Sequence, residues 1–324
     1  LPVGWMYTDP SGTQSNIVDL NLNPVSTTKT YKVQIGDTSE SGDLKGDTTL
    51  DNDKDSDKKT VKVPDPTVNV KWWGLKDHTL TIYKHDMNSE DFNGNINPSS
   101  SDWPWNDVRD QVNHIIFDGK VSSKNGSVSN MFAYMPNLTK IDGLDKLQTD
   151  NVNNFQNMFL NDTKLETLDA NLINVDNATN LQSMFEGLDS IKKLDVSNWN
   201  IHGAVNLTRL FYYDNNLLQL DLSNWNTTDK KVVETNMLKM SAKFNLWKIK
   251  FGNYSYLISD CGLSNPPDDG NPMPENPDIP NTEATWTIVG EGSDYDPIGD
   301  ICTAKNVIDN SQKATAPFTV VWSN

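Results

Sequence analysis

Two seven-residue phrases, LDVSNWN at 194–200 and LDLSNWN at 220–226, lie 26 residues apart and differ at one position. They belong to a longer series. A Met-Phe or related pair stands at Met131–Phe132, Met158–Phe159, Met184–Phe185, Leu210–Phe211 and Met237–Leu238, in steps of 27, 26, 26 and 27 residues. A strand-like phrase keeps the same beat: KIDGL from Lys140, TLDANL from Thr167, KLDVSNW from Lys193 and QLDLSNW from Gln219. HIIFDGKV from His114 reads as a first rung and KIKFGNY from Lys248 as a degenerate last one. A chain that repeats two features in phase must stack like on like, because each unit is too small to bury its own apolar side and its neighbours must bury it.

A period of 20 to 29 residues carrying L-x-x-L-x-L is the leucine-rich-repeat pattern. It predicts an α/β fold: a leucine-rich-repeat solenoid of about five to six rungs of 26–29 residues, each one strand and one helical turn, with an N-terminal cap and small flanking β segments. Composition agrees, since only 35% of residues are hydrophobic and a thin stack needs less core than a sphere. Alternation along each strand assigns the faces. Leu168, Leu194 and Leu220 point inward with Ala170, Val196 and Leu222. Lys140, Asp142, Thr167, Asp169, Lys193, Asp195, Gln219, Asp221, Lys248 and Lys250 point outward, and Tyr134, Tyr212 and Tyr213 lie on the opposite side. These two sets are the candidate ligand-binding residues. Trp199, Trp225 and the Met-Phe pairs read as core. Asp142, Asp169, Asp195 and Asp221 should form a column about 4.8 Å apart, where like charges repel by roughly 1 kcal/mol in water. Capture of backbone N–H groups in the following turn is the structural way to offset this, and a bound cation or basic ligand is the functional one.

The flanks divide the rest. Residues 1–69 read as a β-rich unit with a long acidic loop, 70–113 as the N-terminal cap, 114–262 as the repeats, 263–283 as a Pro-rich acidic linker and 284–324 as a small C-terminal β segment. In the cap, Trp72, Trp73, Trp103 and Trp105 serve either as its core or as a sugar-stacking platform. In the acidic loop, Asp51, Asp53, Asp55 and Asp57 alternate as in the start of an EF-hand loop. Ser56 stands in place of the required Gly and Lys62 in place of the bidentate Glu, so a solvated loop competes with a calcium site. Calcium is the one cofactor to consider. Cys261 and Cys302 match no metal or redox spacing. A disulfide between them would close a loop of 42 residues and contribute about 4 kcal/mol; two free thiols are the other reading.

Net charge is −17, with 44 acidic and 27 basic residues. This argues against nucleic acid and anionic membranes as partners. No apolar run is long enough to span a bilayer. No G-x-S-x-G, Walker loop or H-E-x-x-H occurs, and His78, His85, His114 and His202 form no metal motif.

The rungs MFEGLDSIKKLDVSNWNIHGAVNLTRLF and LLQLDLSNWNTTDKKVVETNML resemble the BspA-type leucine-rich repeat of surface proteins in lactobacilli and related Gram-positive bacteria. The family's rung is MF, then L-x-x-L-D-L-S-x-W/F, then a T-x-x-V turn. WGLKDHTLTIY…DWPWND resembles the segment before such repeats, and IVGEGSDYDPIGD…FTVVWSN the segment after them. The likeness covers about 70–324 and leaves out 1–69; KIDGLDKL, TLDANLIN and KIKFGNY lack the Ser-x-Trp. It implies an extracellular, non-catalytic adhesin, held to the cell wall through a region outside this chain. It implies a monomer whose partners are host mucin, matrix proteins or glycans. The alternatives are a spacer that presents 1–69 as the binder, and a glycosidase built on paired carboxylates.

Overall fold

The computed structural model describes three short strands within residues 1–71, together with residues 72–323 except 89–101, 203–204, 230, 268–271 and 282. Contacts divide the chain into two units, Leu1–Lys71 and Trp72–Asn324. In the first, β1 (Trp5–Thr8) pairs antiparallel with both β2 (Gln14–Ser15) and β3 (Val33–Ile35). Asp51, Asp53, Asp55 and Asp57 lie outside the described residues.

The second unit opens with a hairpin, β4 (Trp73–Lys76) and β5 (Thr79–Ile82), then β6 (His85–Met87). A 3₁₀ turn at Asn106–Gln111 leads into β7 (His114–Phe117) and β8 (Val121–Ser123). The repeats add β9 (Lys140–Asp142), β10 (Leu147–Gln148), β11 (Gln219–Leu222) and β12 (Lys248–Phe251). Strands β5, β7 and β9 run parallel, as do β6, β8 and β10, and β11 with β12. After the repeats come the hairpin β13 (Pro272–Met273) and β14 (Asn276–Pro280), then β15 (Trp286–Ile288), β16 (Ile301–Cys302), α1 (Ala304–Ser311) and β17 (Phe318–Trp322). Strand β17 lies antiparallel on β12, so the tail packs back onto the last repeat in a sheet ordered β11-β12-β17-β15-β16.

The expected α/β leucine-rich-repeat solenoid is overturned by this architecture. Small mixed sheets replace one long parallel sheet, and α1, which lies after the repeats, is the one α-helix among the described residues. The strand phrases at Thr167 and Lys193 make single bridges, Lys140 with Thr167 and Lys193 with Gln219, rather than strands. The sequence period is nonetheless present in the contacts. Parallel bridges join Ser127, Asn154, Asn180, Asn206 and Val233 in succession.

A physical reason for the missing helices lies in the backbone of the Met-Phe segments. Their N–H groups donate to the next repeat: Phe132 to Met158 (2.9 Å), Phe159 to Met184 (2.9 Å), Phe185 to Leu210 (3.1 Å) and Phe211 to Met237 (3.0 Å). An N–H spent this way is not available to the carbonyl four residues back. Left-handed residues reinforce the choice. Asn130 and Tyr134, Asn157 and Asn161, Ser183 and Gly187, and Arg209 and Tyr213 all have φ between 54° and 76°, which no right-handed helix accommodates.

Side chains fill the interior along the same line. Phe132, Phe159, Phe185 and Phe211 are fully buried and stack at 5.7, 5.9 and 5.9 Å between ring centres. Trp105 extends the column upstream at 6.0 Å from Phe132, and Trp225 downstream at 6.3 Å from Phe211. Trp199 and Trp225 stack on each other at 6.5 Å, so they are core and not a platform. In the cap, the indoles of Trp103 and Trp105 donate to the carbonyls of Ser129 and Met131, 26 residues on. DWPWND therefore stands in for one more repeat, with Trp72, Trp103 and Trp105 buried. Leu168, Leu194, Leu220, Ala170, Val196 and Leu222 are all buried, as alternation requires.

Two further expectations change. Part of the segment read as a linker is the β13–β14 hairpin, with Met273 buried. Cys261 and Cys302 form no disulfide; both are free, buried thiols. Burial pushes the Cys261 thiol up to about 12, which makes it inert as a nucleophile at neutral pH.

Candidate functional site

The outward strand face divides into two halves that differ in what covers them. In the upstream half Lys140, Asp142, Thr167 and Asp169 are exposed. Asp142 Oδ2 accepts from Lys140 Nζ at 3.0 Å and sits 2.7 Å from His114 Nε2. These two bonds hold the Asp142 carboxyl below its usual range. His114 stands one repeat earlier, and alternation alone had not singled it out for this face. Asp169 precedes a 3₁₀ turn, Ala170–Leu172, without capping it.

In the downstream half the chain's own tail meets the candidate residues. Glu275, in the turn between β13 and β14, takes a hydrogen bond from Gln219 Nε2 (2.5 Å) and one from Trp247 Nε1 (3.3 Å), and pairs with Lys193 Nζ at 3.3 Å. Burial opposes the charge on Glu275, but these donors outweigh it and its carboxyl lies below the usual range. Lys248 Nζ reaches Asp294 at 2.5 Å, and Tyr295 stacks on Trp247 at 5.2 Å. Lys250 pairs with Asp221 at 3.0 Å.

Half of the aspartate column is offset by backbone capture. Asp195 accepts from the Ser197 N–H and Asp221 from the Ser223 N–H, each at 2.9 Å. The hydroxyl and N–H of Ser197 lower the Asp195 carboxyl, against burial and the Asp221 charge. Burial raises Asp221, and the Ser223 and Lys250 bonds more than reverse it.

The tyrosines do not form one surface. Tyr212 and Tyr213 touch, with ring centres 4.2 Å apart, and the Arg209 guanidinium lies 4.2 Å over Tyr212 while also pairing with Glu186. Tyr134 sits at the corresponding place in an earlier repeat, with Arg109 at 5.9 Å. Tyr134 and Tyr213 are each 42% exposed and left-handed, at φ 60° and 63°. Their exposure follows from the shape of the turn, two residues after each Phe.

Among the described residues no group of three or more His, Cys, Asp or Glu side chains is placed to hold a metal, and no helix is long and apolar enough to cross a membrane. Residues 126–250 match a family described as "Mycoplasma protein of unknown function, DUF285". That span lies within the repeats and takes in under half of the chain. No curated protein and no solved structure matches.

Proposed function

We propose that this chain is a non-catalytic binding module of a bacterial cell surface, one that grips host mucus glycoproteins or extracellular-matrix proteins through the exposed side of its repeats. The observation that carries the reading is the upstream strand face, where successive repeats set Lys140, Asp142, Thr167 and Asp169 outward on a rigidly bridged backbone. A periodic polar surface on stacked repeats suits an extended macromolecular ligand better than a small substrate. On this face Asp142 pairs with Lys140 and hydrogen-bonds His114, an arrangement that holds the carboxylate in its charged form. The resemblance to BspA-type surface proteins supports an extracellular, wall-attached location.

The test is binding of the 324-residue chain to immobilised mucin and to matrix proteins, with and without EDTA. Saturable binding that weakens at least 5-fold in Lys140→Glu/Thr167→Glu supports the reading. Binding unaffected by that variant and abolished by blocking 1–71 moves the role to the first unit, with the repeats as spacer. Loss on adding EDTA would point to the Asp51–Asp57 loop and calcium.

A further inference from the structure

We infer that the downstream strand face is a binding site for a carboxylate-bearing peptide, and that the β13–β14 turn is its built-in occupant. The inference rests on the binding-module reading and adds a second, regulated site to it. Three donors from successive repeats converge on one carboxylate: Lys193 Nζ at 3.3 Å, Gln219 Nε2 at 2.5 Å and Trp247 Nε1 at 3.3 Å from Glu275 oxygens. Lys193 and Gln219 hold the same place in consecutive repeats and bridge in parallel. The match of an ammonium, an amide and an indole N–H to one carboxylate is that of a recognition site, because charge-assisted bonds are short and directional. The next position repeats the chemistry, with Lys248 holding Asp294.

The occupant is held in a way that allows release. β13 and β14 form a two-stranded sheet of their own, joined to the core through Met273 and Ile279, and two strands paired only with each other add little stability of their own. Glu275 has φ 67°, a left-handed conformation that is uncommon for a residue with a side chain. Lys193 is 81% exposed, so the site opens to solvent on that side and its ion pair is screened. Pro272, Pro274 and Pro277 flank the glutamate and favour an extended backbone. The ligand that fits is therefore a proline-containing acidic peptide segment of a partner protein, which displaces a near-copy of itself.

The experiment uses the full chain, the synthetic peptide PMPENPDIP, and the same peptide with Gln for Glu. Glu275→Lys sets a positive charge against Lys193 and drives the turn off; Glu275→Ala removes the carboxylate alone. Amide exchange across 272–280 should accelerate in both variants while the rest of the chain keeps its protection. The peptide should bind each variant at least 10-fold more tightly than wild type. Adding Gln219→Ala and Lys193→Met to Glu275→Ala should abolish that gain. Unchanged exchange, equal binding by wild type and variants, or equal binding of the Gln peptide overturns the site. Tighter binding of sialyllactose than of the peptide overturns the assignment of its ligand. Mucin separates the two readings. If no form binds mucin or matrix protein but Glu275→Lys takes the peptide, the adhesin reading fails and this site stands. If all forms bind mucin equally and none takes the peptide, the reverse holds.

Discussion

Glu234 is buried, with Oε2 accepting from the Ile258 N–H at 2.9 Å and Oε1 without a partner. Burial pushes its carboxyl up to about 7, against the Ile258 bond and with help from Asp260. Asp162 and Asp214 repeat the arrangement. Each is fully buried, accepts one backbone N–H, from Met135 and Leu188 respectively, and has one oxygen unpartnered. Burial raises both well above the usual range. In the unfolded chain such groups titrate near pH 4, so across the interval above that the folded chain holds more protons than the unfolded one, and stability falls as pH rises. The contribution of Glu234 is complete below about pH 4 and lost through about pH 7. Asp86, Asp142, Asp195, Asp221, Glu275 and Asp309 act with the opposite sign. Their lowered carboxyls stabilise the fold above about pH 4 and cease to do so as pH falls further. The two sets place maximum stability near pH 5. The unfolding midpoint should be higher at pH 5 than at pH 8, and Glu234→Gln should remove about 2–3 kcal/mol of that difference. A wild-type midpoint that is flat from pH 5 to 8 would show that these carboxyls ionise without cost.

Within the repeat element the Phe column and the closing glycine set the tolerances. Phe185 is fully buried between Phe159 and Phe211 and 5.6 Å from Trp199. Phe185→Ala should cost about 3–5 kcal/mol, measured by denaturant unfolding. Gly252 takes the place of Ser223 in the last rung, and a Cβ there would stand 2.0 Å from the Ser223 carbonyl oxygen. Gly252→Ala should therefore cost about 2–3 kcal/mol by forcing the backbones apart; a loss below 0.5 kcal/mol would refute the close approach. The same rung replaces buried Trp225 with Tyr254, which is 58% exposed. KIKFGNY thus ends the series because the tail, and not another repeat, covers it. How much of this the residues disclose varies by element. The period, the inward leucines, the Phe and Trp core and β7, β9, β11 and β12 are all legible in spacing and alternation. The helical side is not, because a period near 26 residues fixes the stacking distance and not the backbone path between strands. The signal lay in Asn130, Asn157, Asn161 and Asn236, since asparagine favours the left-handed region that these positions occupy. The outward face was legible by alternation. Its covering was not, because Glu275 lies 56 residues from Gln219 in a segment whose prolines read as a linker.

At the scale of the whole molecule the dominant quantity is a net charge of −17, which opposes approach to an acidic surface such as sialylated mucin. Between pH 7 and pH 5 that charge shrinks. About a tenth of ordinary carboxylates take up a proton at pH 5, which removes roughly four of the negative charges. Uptake by Glu234 falls in this window as well but takes place in the interior, so it acts on stability and not on the face. The repulsion acts over a Debye length of about 8 Å at physiological salt, so it governs encounter more than the final contact. Mucin binding should therefore be tighter at pH 5 than at pH 7, with most of the gain in the association rate. The difference should shrink as salt is raised from 20 to 500 mM. Equal or weaker binding at pH 5, or a difference insensitive to salt, would mean that short-range contacts of the upstream face, and not overall charge, decide adhesion.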